Sequence, residues 1–112
     1  MALPLKNRLK TERDFKNVFR KGKTVSSGLL FCKILQKELA ASRFGFIVPA
    51  RKFPLAVGRN KIKRILSEAV LAELPNIREG WDIIVGLQDK HKNREELIAD
   101  LVKVLRKAGL IK

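Results

Sequence analysis

Apolar residues follow two different periods along this chain, and the switches between them mark the elements. Thr11-Glu12-Arg13-Asp14 reads as a helix start, with Thr11 as N-cap and two acidic residues in a first turn whose dipole favours negative charge. Phe15, Val18 and Phe19 then share one face at helical spacing, and Gly22 is expected to end the helix. Beyond it the spacing changes to extended apolar runs. A short strand around Thr24 and Val25, a longer one over residues 29–35 and a third over residues 43–48 follow, the last stopped by Pro49, which cannot donate to a central ladder. Their order predicts an antiparallel meander.

A basic loop over residues 50–58 leads to a second helix whose Ile62, Ile65, Leu66, Ala69 and Val70 fall on one face, ended by Pro75 and Asn76. Residues 81–86 form a fourth strand. Asn93 opens a third helix, with Glu96 at capping-box spacing; Leu97, Ile98, Leu101, Val102 and Leu105 are expected to face the core, and Gly109 to close it. The order α-β-β-β-α-β-α predicts an α+β fold, a two-layer sandwich of a four-stranded sheet and its helices. With 112 residues and neither repeat nor linker, residues 1–112 are expected to be one domain, residues 1–10 forming a flexible basic arm.

Charge narrows the function. Lys and Arg number 25 against 11 acidic residues, a formal net charge of +14, and such an excess repels itself unless a polyanion neutralises it. No apolar run approaches the roughly 20 residues that span a bilayer, and the N-terminus lacks a signal-like apolar segment, so a soluble cytoplasmic protein is expected, with no membrane partner. One cysteine, Cys32, and one histidine, His91, exclude an internal disulfide and a conventional Cys/His zinc site; Cys32 reads as core filler.

Between Arg51 and Arg64 stand Arg51, Lys52, Arg59, Lys61, Lys63 and Arg64 without one acidic residue. Helical rotation sets Asn60, Lys63, Arg64 and Ser67 opposite the apolar face. A solvated face would normally carry counter-charges at helical spacing, so their absence points to phosphate contacts, with Asn60 free to reach a base edge or sugar. The first 23 residues form a second basic region, in which Arg8 and Lys10 belong to the expected arm. Lys33 stands alone in an apolar strand, where burial without a partner costs several kcal/mol; it must reach solvent, a bound anion or a local carboxylate. Phe15 and Phe19 read from spacing alone as core more than as binding surface. No Gly-rich phosphate loop, catalytic triad or acidic metal cluster is recognisable, so no catalytic residue and no metal site is assigned, and Asp89 and His91 read as a solvated loop pair.

Asn7-Arg8-Leu9-Lys10, Asp14-Phe15, Val18-Phe19, Gly22, Phe44-Gly45-Phe46, Arg51-Lys52 and Ala56-Val57-Gly58-Arg59-Asn60-Lys61-Ile62-Lys63-Arg64 recur in register with one family. The chain resembles the bacterial ribonuclease P protein from about Arg8 to its last helix. The resemblance implies a left-handed crossover between parallel strands, and a division of labour in which a catalytic RNA with Mg²⁺ removes the 5′ leader of precursor tRNA. The protein would bind that RNA through Arg51, Lys52, Arg59, Asn60, Lys61, Lys63 and Arg64, and the leader through a cleft at Phe15, Phe19, Phe31 and Lys33. No cofactor is expected on the protein alone. Lys61 stands where the family usually has Arg, Lys33 where an aromatic is often found, and the chain has no Tyr. A ribosomal-type RNA-binding protein is the alternative; duplex DNA is not expected as a partner, because no recognition-helix or dimer pattern accompanies the basic helix.

Overall fold

In the computed structural model, which describes residues 3–38, 40–91 and 93–112, the expected caps set the helix starts. Thr11 Oγ1 accepts from the amide of Asp14 at 3.1 Å to open α1 (Glu12–Lys21), and Asn93 Oδ1 accepts from that of Glu96 at 2.9 Å to open α3 (Arg94–Lys107). Helix α2 (Ala56–Glu73) has no side-chain cap. It starts within what was expected as the basic loop, so Ala56, Val57 and Gly58 are helical. The weak helix formers Val57 and Gly58 hide that start, and the buried stripe of Ile62, Ile65, Leu66, Ala69 and Val70 supplies the packing that overrides propensity.

The strands are β1 (Lys23–Ser27), β2 (Leu30–Gln36), β3 (Arg43–Ile47) and β4 (Trp81–Leu87), in the spatial order β1-β2-β4-β3. β1 and β2 form the expected hairpin. Its two-residue turn has Gly28 at φ +60 followed by Leu29 at negative φ, the pattern of a type II′ turn, and Asp100 Oδ2 on α3 accepts the Leu29 amide at 2.9 Å. The third strand does not continue a meander. β4 enters between β2 and β3, antiparallel to the first and parallel to the second, so β3 and β4 are joined by a crossover through α2. The reason is burial: residues 82–87 are buried without interruption, as a strand covered on both faces must be, and the run Ile83-Ile84-Val85 suits the sheet centre.

Helices α2 and α3 cover one sheet face, where Cys32, Ile34, Phe44, Phe46, Ile83 and Val85 meet Leu66, Val70, Leu97 and Leu101. On α3 it is Val104 that is buried, whereas Val102 is only half-buried. Helix α1 lies on the opposite face, packing Val18 and Phe15 against Ile84, Leu35 and Ile47, and leaves the rest of that face open.

Residues 3–10, expected as a flexible arm, lie against the domain. Leu3 is fully buried in the main core, Asn7 Nδ2 donates to the carbonyl of Ser42 at 2.9 Å, and the Leu9 amide donates to that of Phe44 at 2.9 Å. The apolar Leu3 and Leu9 anchor this segment although it is cationic, and it covers the outer edge of β3.

Candidate nucleic-acid interface

Strand register lays out the open sheet face row by row. Phe31 stands opposite Gly86 and Gly86 opposite Ile47; in the next row Lys33 stands opposite Ile84 and Ile84 opposite Gly45. The ring of Phe31 lies across Gly86 and that of Phe15 across Gly45, so closely that neither glycine has room for a β-carbon. Two aromatic rings thus lie on bare backbone, on the sheet face that carries α1.

Phe19 is 41% exposed at the flank of α1, so the core reading of its spacing does not hold; Phe15 is half-buried and joins the small core beneath the helix. Lys33 Nζ sits 5.5 Å from the centroid of the Phe19 ring and donates to Thr24 Oγ1 at 2.8 Å. Among the described residues no carboxylate pairs with it. The ammonium is held by a hydroxyl and a ring face, neither of which neutralises it. The structure therefore brings Phe15, Phe19, Phe31 and Lys33 together. Thr24, Gly45 and Gly86 belong with them; sequence reasoning missed these three, although the register implied by the Gly28 turn pairs Thr24 with Lys33.

The cationic segment lies elsewhere. Arg51, Asn60, Lys61 and Arg64 are exposed, and Lys63 is half-buried at the flank of the apolar stripe. Ser67, placed by helical rotation on the exposed side, is instead fully buried and donates to the carbonyl of Arg64 at 2.9 Å; the apolar stripe is wider than its large side chains indicate. Arg59 donates through Nη1 to the carbonyls of Phe53 and Pro54, at 2.8 and 2.9 Å, fastening the loop that precedes α2. Lys52 Nζ donates to the Gln88 carbonyl at 2.9 Å and lies 3.7 Å from Asp89, while His91 stacks on Phe53 at 6.2 Å between centroids. Asp89 and His91 are thereby engaged with separate partners across the loop. Arg8 donates through Nε to the Leu3 carbonyl at 2.7 Å, and Lys10 is exposed.

Sequence reasoning also missed the ion pair that sets α1 over the sheet. Arg43 meets the fully buried Asp82 and reaches Asp14 on α1. Among the described residues no group of three or more His, Cys, Asp or Glu side chains could hold a metal ion, and no helix is long and apolar enough to cross a membrane.

These features define a basic α+β sandwich with a cationic helix face and, beside α1, a cluster of aromatic rings around one lysine, the residue types that suit nucleic-acid phosphates and unpaired bases. The ribonuclease P family model matches residues 3–109. A ribonuclease P protein component of Syntrophomonas wolfei is 34% identical over 110 residues, covering 96% of this chain and 92% of that one. The solved ribonuclease P protein of Staphylococcus aureus superposes with a TM-score of 0.87 at 28% identity, over 95% of this chain and 98% of that one. That of Thermotoga maritima gives 0.80 at 28% identity, over 89% and 96%. The chain belongs to the ribonuclease P protein family, and its function is that of the protein component of ribonuclease P, in 5′ maturation of tRNA.

Proposed function

We propose that the protein binds the catalytic RNA of ribonuclease P through the exposed side of α2, and holds the 5′ leader of precursor tRNA in the cleft beneath α1. The observation that carries this reading is a cluster: rings of Phe15, Phe19 and Phe31 on one sheet face with an ammonium that, among the described residues, has no carboxylate partner. Unpaired bases stack on such rings while a cation tracks the phosphates, and stacking contributes about 1–3 kcal/mol per base. A duplex offers no free base faces, so a single strand suits the cleft and DNA duplex does not.

Arg51, Lys61 and Arg64 are free to neutralise phosphates, with Asn60 beside them for a base edge or sugar. Arg59 and Lys52 hold the neighbouring loops and so place this surface as well as charging it. Arg8 and Lys10 extend the charge along the N-terminal segment. On this reading Mg²⁺ and bond cleavage belong to the RNA subunit, and the reaction to the cytoplasm.

The test is reconstitution: the purified chain should restore precursor-tRNA cleavage by a bacterial ribonuclease P RNA at low Mg²⁺ and cleave nothing alone. A ribosomal-type protein would give no rescue.

A further inference from the structure

At the start of β4, Trp81 lies between two open grooves on the sheet face opposite the α1 cleft. Register pairs Lys23 with Ile34 and Val25 with Cys32, so Lys23 and Val25 project on the α2/α3 side, away from Phe31 and Lys33. One groove, of about 570 Å³, is lined by Lys21, Lys23 and Lys107 with Val25, Ile34 and Trp81, and by no carboxylate. The other, of about 730 Å³, shares Trp81 and adds Arg78, with Glu79 its one acidic residue.

Two of these cations have structural tasks. Lys107 Nζ donates to the Ser26 carbonyl at 2.8 Å, and Arg78 Nε to that of Gly109 at 3.0 Å. Lys21 and Lys23 have none: both are exposed, and among the described residues neither meets a carboxylate at ion-pair distance. Two unpaired ammonium groups, a third beside them and a half-buried indole in an acid-free groove are the elements of a stacking platform with phosphate contacts.

We infer that this surface is a second binding site for single-stranded RNA, with the indole of Trp81 stacking on a base and Lys21, Lys23 and Lys107 meeting the adjoining phosphates. The inference rests on the RNA-binding reading above and adds a surface to it. The site is separate from both others. β3 ends opposite Gly86 before the chain enters the loop to α2, and Gly86 is about 17 Å along β4 from Trp81 at the usual strand rise. The cleft occupies the other face of the sheet.

Trp81 is the single tryptophan and there is no tyrosine, so selectively excited emission reports on this groove alone. The full chain is titrated with dye-labelled oligouridylate about ten nucleotides long, within the site sizes of single-strand binders. Tryptophan emission and dye anisotropy are followed together. Emission should be quenched as anisotropy rises. Lys21→Ala/Lys23→Ala should weaken the quenching titration on the order of tenfold, while Lys33→Ala leaves it in place. Oligonucleotide binding with unchanged Trp81 emission overturns the second site and spares the RNA-binding reading; so does quenching that survives the double variant or disappears with Lys33→Ala. If anisotropy also stays flat, both readings fall.

Discussion

Arg43 on β3 grips Asp82 on the adjacent β4 with two parallel bonds, Nε to Oδ1 at 2.8 Å and Nη2 to Oδ2 at 2.7 Å, while its Nη1 stands 3.4 Å from Asp14 on α1. Asp82 is fully buried, so its charge is tolerated only because the guanidinium matches it bidentately. The pair also pins the helix that walls the cleft.

Arg43→Ala leaves Asp82 buried and uncompensated, and should cost about 3 kcal/mol, the low end for broken buried pairs because the Arg43 side chain is 26% exposed. Asp14→Ala removes only the longer, partly solvated contact and should cost less than about 1 kcal/mol. Urea unfolding of both variants checks this; equal losses would mean that Asp82 does not depend on Arg43. The pKa of Arg43 is raised, first by its hydrogen bond to Asp82, so mild alkali should leave the pair intact.

Burial in the sheet raises the Cys32 thiol from its ordinary 9.0 to about 11. A raised thiol pKa favours the protonated folded state, so its contribution is complete below the unfolded value. It is lost as pH climbs from about 9 to about 11, since only the unfolded chain then gains by ionising. The expected loss is of order 2–3 kcal/mol. Stability against pH should fall more steeply for the native chain than for Cys32→Ala across that window, and the native thiol should resist labelling until the protein unfolds. Identical slopes would contradict the assignment.

Lys33→Ala deletes an ammonium that, among the described residues, no carboxylate pairs with, and should leave Tm nearly unchanged. With the reconstituted holoenzyme it should weaken binding of leader-bearing precursor on the order of tenfold and spare mature tRNA, as expected of a cation tracking single-stranded phosphates. Equal weakening of both substrates would remove the cleft from leader recognition.

Arg64→Ala and Arg59→Ala should behave differently although they share one helix. Arg64 is exposed, so its loss should weaken binding to the catalytic RNA and flatten the logarithmic salt dependence by roughly one unit, without altering the melting curve. Arg59 holds two loop carbonyls, and its removal should in addition cost about 1 kcal/mol of stability. Salt titrations and thermal melts of the two variants decide it.

The elements were legible because caps and periodicity are local signals: Thr11, Asn93 and the stripe from Ile62 to Val70 act within a few residues of the helices they define. Strand order was not, since the placing of β4 between β2 and β3 rests on pairings distant in sequence, such as Arg43 with Asp82 and Leu30 with Leu87. The cleft residues were named through family resemblance, and spacing alone had favoured the core for Phe15 and Phe19. What separates their roles is the solvent exposure of Phe19 and the bare backbone beneath Phe15, facts that exist only once α1 lies across the sheet. The dual character of Arg59, a charge that also fastens a loop, was likewise invisible in a run of basic residues.

The rings lying on Gly45 and Gly86 bind the histories of four positions together. A side chain larger than hydrogen at 86 would evict the Phe31 ring, and one at 45 would evict Phe15, so neither glycine can drift while its aromatic stays. Among relatives, positions 31 and 86 should therefore change as a pair, as should 15 and 45: where the aromatic shrinks the glycine is released, and where it is kept the glycine is fixed. A lineage that altered its cleft floor would carry that double exchange in its sequences, readable without any structure.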